Sequence, residues 1–280
     1  MILKNGFVHY LKPLLFASLI TITLSVHAAK GVEDGIITQN PWSFNITAYT
    51  WLPGVNGDFS AGSHKRSVDA DFVEIAGKLK SFPLAFMGHF EAHYERLGFY
   101  MDGNYVGMDF KPKTIDGVSL SLSTELGIMD YGVSYRLYGP EASERIRLWD
   151  KKSKTNTTML DVYTGGRSIW LGNQITVGGL INTKVSSNQT FTAPVLGAKV
   201  VADITPNWFV LMDGNVGGFG VDYVSFTGSG LGAIGYRTKL LDLPTSIEAG
   251  YKVLNVNVNK NISSVDVTLN GPFVGLTSYW

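Results

Sequence analysis

The chain contains no cysteine among its 280 residues, which excludes disulfides and thiolate metal sites. Lysine plus arginine and aspartate plus glutamate both number 23, so no net charge favours nucleic acid or another highly charged partner. Charged residues make up only 16%, yet beyond the N-terminus no apolar run approaches the roughly 20 residues that a membrane-spanning helix needs. A helical membrane protein and a nucleic-acid-binding protein are therefore not expected.

Glycine and aromatic residues, by contrast, are plentiful. The chain has 32 glycines, 13 tyrosines, 15 phenylalanines and 6 tryptophans, and its mean hydropathy is +0.09. Because the apolar residues are spread out rather than clustered, this composition is typical of strands that alternate apolar and polar residues.

The first 28 residues have the pattern of a cleaved secretory signal. Lys4 and Lys12 accompany an apolar run from Leu14 to Val26, and cleavage is predicted after Ala28. Removal leaves 21 basic against 23 acidic residues, so the mature chain is nearly neutral. Residues 29–41 are then a lead-in and residues 42–280 the folded domain. The alternative is an uncleaved membrane anchor.

From Trp42 onward, stretches of about ten residues carry apolar side chains at every second position, which is the length and period of a tilted membrane strand. In one of them Ile247 and Tyr251 oppose Glu248 and Lys252. The fold class predicted is all-β, a single antiparallel transmembrane β-barrel of about ten strands, with eight or twelve as alternatives. A soluble sandwich or lipocalin-like barrel is disfavoured because it would bury the charged parity in a dry core.

The strand prediction has two weak points. The apolar parity reverses just upstream of Gly127, which predicts a bulge there if both halves of the strand face the membrane, and residues 175–190 could hold an extra strand. The predicted joins are mostly short at one end of the barrel, except residues 139–157. At the other end they are mostly longer and polar (57–82, 110–119, 172–191, 217–222 and 259–270). Residues 69–80 have helical periodicity, which predicts either a gating helix or a packed loop.

One group of ionisable residues shares a single strand parity and should face the lumen: His89, Glu91, His93 and Glu95. Because His89 and His93 are roughly 13 Å apart along a strand, they cannot share a metal ion without a cross-strand ligand. We therefore favour a structural polar network over a metal site, with Arg136 and Arg167 as its expected basic partners, and expect neither a metal nor another cofactor.

The other lumenal charges have interspersed signs, and in a ten-stranded barrel they should pair and fill the lumen. A general diffusion pore is disfavoured on this ground. These residues are Asp102, Asp130, Arg136, Asp161, Arg167, Lys199, Asp203, Asp213, Arg237, Glu248 and Lys252.

Several segments carry a resemblance to a known group of proteins: WSFNITAYTWLPGVNGDF, LDVYTGGRSIWL, GNVGGFG, IGYR, AGYK and the ending GPFVGLTSYW. From Trp42 to Trp280 the chain resembles uncharacterised outer-membrane β-barrel proteins of Gram-negative bacteria. The resemblance implies a β-barrel located in the outer membrane. We expect it to be a monomer that is exported through the periplasm and contacts outer-membrane lipid and lipopolysaccharide. The resemblance also implies that Val274, Leu276 and Trp280 form the signal read by the barrel assembly machinery, although Ser278 stands where an aromatic residue is usual.

The function expected is non-enzymatic: a structural barrel or a narrow gated conduit for small solutes or ions. The alternative is a hydrolase of lipid, lipopolysaccharide or peptide with its site at the extracellular rim, for which His64 is the loop histidine available. No GxSxG-like nucleophile motif accompanies it.

Overall fold

The computed structural model describes residues 40–280 except 62–63, 72, 74–85, 116–117, 151–156, 179–182 and 261–262. The predicted signal segment (1–28) and nearly all of the predicted lead-in (29–41) lie outside the described residues. Alternation of apolar and polar side chains forms strands along almost the whole described chain. They are β1 (Trp42–Trp51), β2 (Gly54–Ala61), β3 (His64–Ala70), β4 (Phe86–Tyr94), β5 (Leu97–Ile115), β6 (Val118–Tyr138), β7 (Thr158–Gly178), β8 (Thr183–Asp203), β9 (Trp208–Val221), β10 (Val224–Leu240), β11 (Leu243–Lys260) and β12 (Ser263–Tyr279).

Within the described residues, β1 and β4 to β12 form a closed antiparallel barrel of ten strands. Each strand pairs with the next, and β1 closes the ring by pairing with β12, from Asn45 opposite Tyr279 to Trp51 opposite Phe273. The predicted fold class and strand number are therefore confirmed. We call the end where β1 begins and β12 ends the near end, and the opposite end the far end.

The strands β2 and β3 form a hairpin that lengthens the wall at the far end. After a break at Leu52 and Pro53, β2 continues the line of β1 and pairs with the first half of β12, Gly54 lying opposite Asn270. Asp69 and Ala70, the first residues of the predicted mouth helix, belong to β3. Most of the remainder of that predicted helix lies outside the described residues.

Several predicted far-end loops are strand in the structure. The β5–β6 pair extends to Ile115 opposite Val118, and the β11–β12 pair to Lys260 opposite Ser263. The ambiguous stretch 175–190 lengthens β7 and β8 rather than forming a separate strand. Strand pairing depends on main-chain hydrogen bonds, which form whether the side chains are apolar or polar. The polar segments could therefore continue the strands, and their polarity did not identify them as loops.

The predicted bulge near Gly127 is wrong. β6 pairs with β7 without a register shift from Ser119 to Arg136, and the irregularity lies later, between Arg136 and Tyr138. Leu126 and Ile128 point inward, where they contact the interior apolar cluster described below. The apolar residues change from odd to even positions because the inward positions are apolar at this height. The direction in which each position faces does not change along β6.

The outward positions of the ten strands carry large exposed apolar side chains, as the sequence predicts. Aromatic pairs lie near the near end, such as Trp42 with Tyr94 and Trp208 with Tyr236, at ring-centroid distances of 5.2 and 4.9 Å. The outward set includes Ile46, Phe90, Phe99, Met101, Tyr131, Val133, Tyr135, Leu137, Trp170, Leu196, Met212, Ile234, Ile247, Tyr251, Val274 and Leu276.

One helix, α1 (Ala142–Asp150), follows β6 in the long near-end join. Although it lies between β6 and β7 in sequence, it contacts β1, β4 and β11, so it crosses the near end of the lumen. Among the described residues, no helix has the length and apolar character needed to cross a membrane.

Candidate functional site in the barrel lumen

A cavity of about 180 Å³ lies inside the barrel, which is space for on the order of ten water molecules. Most of the residues that line it are of polar or charged types. At the near end Ala142, Arg145 and Ile146 of α1 line it.

A cluster of apolar side chains, which we call the apolar layer, occupies the lumen on the far side of this cavity. Its buried members come from β1, β4, β6, β7, β11 and β12, so they approach one another from around the ring. They are Tyr49, Trp51, Met87, Ile128, Ile169, Leu254, Leu269 and Phe273. Among the described residues, the apolar layer therefore lies on the far side of the cavity and α1 on its near side.

Glu91 on β4 is one of two carboxylates of the cavity that each contact four other side chains. Its Oε1 receives His89 Nε2 at 2.9 Å, and its Oε2 receives His93 Nε2 at 3.1 Å and Asn45 Nδ2 at 2.9 Å. Lys199 on β8 crosses the lumen to form an ion pair with the same carboxylate. Glu91 therefore fastens three strands together.

Asp102 on β5 forms the next centre. It accepts hydrogen bonds from the Tyr49 hydroxyl at 2.9 Å and from Asn104 Nδ2 at 2.7 Å, and Lys252 Nζ lies 3.4 Å from it. The Lys252 ammonium also lies 5.0 and 5.2 Å from the ring centroids of Tyr49 and Trp51. These cation–π contacts place Lys252 at the boundary between the polar cavity and the apolar layer.

His89 bridges the two centres. Its Nε2 faces Glu91, and its Nδ1 lies 3.3 Å from Asp102 Oδ2. Because ionised carboxylates only accept hydrogen bonds, both ring nitrogens must carry a proton to satisfy this geometry. His89 in this arrangement is therefore an imidazolium.

Two arginines make bidentate pairs with aspartates of the neighbouring strand. Arg167 donates from Nε and Nη2 to Asp130 at 2.7 and 2.6 Å, and from Nη1 to the Thr227 hydroxyl at 2.8 Å. Arg136 donates from Nε and Nη2 to Asp161 at 2.8 and 3.0 Å. Bidentate geometry is the strongest form of such pairing, and all four hydrogen bonds hold neighbouring strands in register.

At the near end, Asp203 is the centre of a third group of polar contacts. Arg237 pairs with it, Thr157 donates to it from its hydroxyl at 2.7 Å, and Arg145 Nη2 lies 3.5 Å away. Arg237 also lies over the Phe209 ring, 4.8 Å from its centroid. Because Arg145 belongs to α1, this contact ties the helix to β8.

Two lumenal carboxylates contact hydroxyl groups instead of a cation. Asp213 Oδ1 accepts from the Tyr163 hydroxyl at 2.6 Å. Glu248 Oε1 accepts from Ser246 at 2.7 Å and from Thr277 at 3.0 Å. Both residues line the cavity.

The structure brings together nearly all the predicted lumenal charges, with two corrections. Glu95 lies in the exposed β4–β5 turn with a φ of 55°, so its parity no longer applies and its placement in the network was wrong. Arg136 and Arg167 pair with Asp161 and Asp130 rather than with the histidine–glutamate group. The described residues include no cluster of three or more histidine or acidic ligands that could hold a metal ion.

Residues that the sequence did not single out complete the network. Most of them lie on the predicted inward parity of a strand, which was the signal available, whereas Arg145 and Thr157 lie in the predicted join 139–157 and had no such signal. They are Asn45, Tyr49, Asn104, Arg145, Thr157, Asn215 and Thr227.

The C-terminal residues lie at the barrel seam. Phe44 donates its N–H to the Trp280 carbonyl at 2.8 Å and accepts from the Trp280 N–H at 3.1 Å. The two rings stack at 6.1 Å. Val274 and Leu276 point outward and are exposed. Their reading by the assembly machinery stays a prediction.

No protein-family model matches the chain, and no curated protein matches it. Over most of its length it is similar to solved structures. One is the outer-membrane protease OmpT from Escherichia coli, with 8% identity, a TM-score of 0.48, and 88% of this chain and 99% of that chain covered. Another is Ail, the attachment invasion locus protein of Yersinia pestis, with 10% identity, a TM-score of 0.34, and coverage of 85% and 98%. These likenesses assign no activity.

Proposed function

We propose that the chain is a non-enzymatic β-barrel of the bacterial outer membrane whose lumen is a narrow gated conduit for small ions or solutes. The ten-stranded barrel itself is the structural basis. Its exposed outward face of large apolar side chains matches a lipid environment, since a water-exposed wall would gain nothing from so much apolar area.

One observation carries the functional part of the proposal: the lumen is filled by paired charges and crossed by the apolar layer. Paired charges leave no continuous water-filled path of the kind found in wide porins. A hydrophobic constriction blocks ions because water is unstable inside it, and it conducts once it is widened. The helix α1 is a second closure, at the near end.

Single-channel recording in planar lipid bilayers tests this function. We expect the refolded protein to show small, rare openings, and the double variant Ile128→Ser, Ile169→Ser to conduct more often, because serine hydroxyls stabilise water in the apolar layer. Ile128 and Ile169 lie opposite each other on β6 and β7. The matched control is Ile234→Ser on the outward face. Steady conductance of porin size in the unmodified protein would contradict the proposal.

The non-enzymatic part has its own test, which uses the rim histidine. His64 is the first residue of β3 at the far end. We expect purified protein to leave phospholipid, lipopolysaccharide and unstructured peptide uncleaved. Cleavage that disappears in His64→Ala, while the variant folds normally, would establish the hydrolase alternative instead.

A further inference from the structure

The pairing of charges in the lumen is uneven, because some carboxylates contact a cation and others contact only hydroxyl groups. In the described part of the chain, each lumenal basic group contacts a carboxylate: Lys199 reaches Glu91, Lys252 reaches Asp102, Arg167 and Arg136 reach Asp130 and Asp161, and Arg237 and Arg145 share Asp203. Asp213 and Glu248 remain with hydroxyl donors only. Counted with the His89 imidazolium, the described lumenal cations equal the carboxylates in number, but among the described residues Asp213 and Glu248 contact none of these cations directly.

Asp213 forms the clearer of the two sites. Its Oδ1 is bound by Tyr163, and no described group donates to its Oδ2. Lys199, its cross-strand neighbour, directs its ammonium to Glu91 instead. Asp213 is half-buried and lines the cavity, so its Oδ2 is open to a group bound there.

Tyr100 supplies an independent observation beside this carboxylate. Its side chain points into the lumen, lines the same cavity, and packs edge-on against Tyr163 with ring centroids 5.1 Å apart. Only 8% of it is exposed, and its hydroxyl is buried with no hydrogen-bond partner in the described part of the chain. Tyr100, Tyr163 and Asp213 thus offer a hydroxyl, an aromatic wall and a carboxylate oxygen together.

Glu248 repeats the same arrangement on β11. Only 5% of it is exposed, its Oε1 takes both hydroxyl bonds, and no described group donates to its Oε2. The Tyr279 hydroxyl lies 3.0 Å from Ser246 Oγ, so aromatic and hydroxyl groups again accompany the carboxylate.

We propose that the lumenal cavity binds a small monovalent cation, an alkali ion or a primary ammonium group, at Asp213 and Tyr100, with Glu248 as a second acceptor. Single carboxylates with hydroxyl and aromatic neighbours suit one positive charge. A divalent ion needs more oxygen ligands than either corner provides. The inference rests on the proposed conduit for transport, but binding itself does not require conduction.

Thermal unfolding of the refolded full chain tests the binding. Unfolding temperatures are measured in potassium chloride, methylammonium chloride and choline chloride at equal ionic strength, because choline has the same charge but a bulky head without N–H donors. A ligand that binds only the folded state raises the unfolding temperature in a saturable way. We expect such a rise with potassium or methylammonium and not with choline, and the cation that produces it identifies the class.

The variants locate the site. Asp213→Asn should reduce the apparent affinity by about tenfold because it removes the charge of the main ligand, and Glu248→Gln should reduce it less. The matched control is Asp242→Asn in the exposed β10–β11 turn, which should keep the full effect. Equal unfolding temperatures in all three salts, or an unchanged affinity in Asp213→Asn, would overturn the proposal. If the bilayer recordings show no openings but a cation still raises the unfolding temperature in a saturable way, the proposed conduit is wrong and the proposed binding site is supported.

Discussion

At the scale of single residues, the lumen is organised around carboxylates that each collect several donors. Glu91 is one of these carboxylates, and four side chains contact it: His89, His93, Asn45 and Lys199. Deleting its charge removes the ion-pair partner of the largely buried Lys199, which costs more than the loss of one hydrogen bond.

We therefore expect Glu91→Gln to lower the free energy of unfolding by about 3 to 5 kcal/mol. Denaturant titration of the refolded barrel, followed by gel mobility and circular dichroism, measures it. Two controls bracket the result: Glu95→Gln in the exposed turn, and Phe90→Leu on the outward face, which should leave the lumenal pairs intact. Equal stability of Glu91→Gln and Glu95→Gln would show that the network is not structural.

A second prediction at this scale concerns Gly98, which lies opposite His93 across the β4–β5 ladder. A Cβ at Gly98 would lie 2.7 Å from the His93 ring atoms Nδ1 and Cε1, and it would also strike the Ser134 hydroxyl. His93 cannot retreat freely because Glu91 holds its other nitrogen. Gly98→Ala should therefore destabilise the barrel by about 1 to 3 kcal/mol.

Gly103→Ala is the matched control on the same strand, since the nearest atom to its added Cβ is 4.0 Å away. This substitution should be nearly neutral or slightly stabilising because it restricts the unfolded chain. The same denaturant titration compares the two. A Gly98→Ala barrel as stable as Gly103→Ala would mean that the His93 ring adjusts without cost.

At the scale of elements, strand parity was readable from the sequence because lipid imposes one chemistry on every outward position. Ile247 and Tyr251 face outward and Glu248 and Lys252 inward, as alternation predicted. The sequence could not predict which inward side chains contact one another. Lys199 on β8 reaches Glu91 on β4, four strands away around the ring, and only the curvature of the closed barrel brings them together.

Two errors of the sequence analysis have the same cause, because side-chain contacts of the assembled barrel are not visible in one strand. Leu126 and Ile128 broke the expected parity because the interior at their height is itself apolar, a property of the assembled layer rather than of β6. Glu95 continued the parity of β4 in sequence, but the tight β4–β5 turn begins at that residue. Periodicity reports the local environment of a strand and cannot report where the chain turns.

The helix α1 gives the element-scale prediction. Replacing Ala142–Asp150 with a glycine–serine segment of equal length should leave the ten strands paired, because α1 belongs to no ladder, but it should remove the near-end closure. We expect this variant to open more often and for longer in planar bilayers. The effect should be largest when the segment is replaced together with Ile128→Ser, Ile169→Ser. Arg145→Ala, which removes only the contact with Asp203, is the milder control. Unchanged recordings would show that α1 does not close the lumen.

At the scale of the whole molecule, stability depends on closing the ring between its first and last strands. The β1–β12 seam joins residues more than two hundred positions apart, including the Thr47 and Thr277 hydroxyls at 2.8 Å. Such long-range pairing carries a large loop-closure entropy cost when it forms alone, because the loop it closes is nearly the entire chain, and pairing of the other strands reduces that cost.

Trp280 completes this seam, so its deletion should weaken the folded barrel as a unit. The residue contributes two main-chain hydrogen bonds to Phe44 and a stacked ring, together worth about 2 to 3 kcal/mol. Closed barrels resist detergent until heated, which is visible as a change of gel migration. We expect the deletion variant to lose its folded band at a lower temperature and to be less abundant in the outer-membrane fraction. Leu241→Ala, in the exposed β10–β11 turn, should behave as the unmodified protein does, because its side chain touches neither the seam nor the lumen. A deletion variant with unchanged melting of the folded band would mean that the seam is held by its inner hydroxyl and main-chain pairs alone.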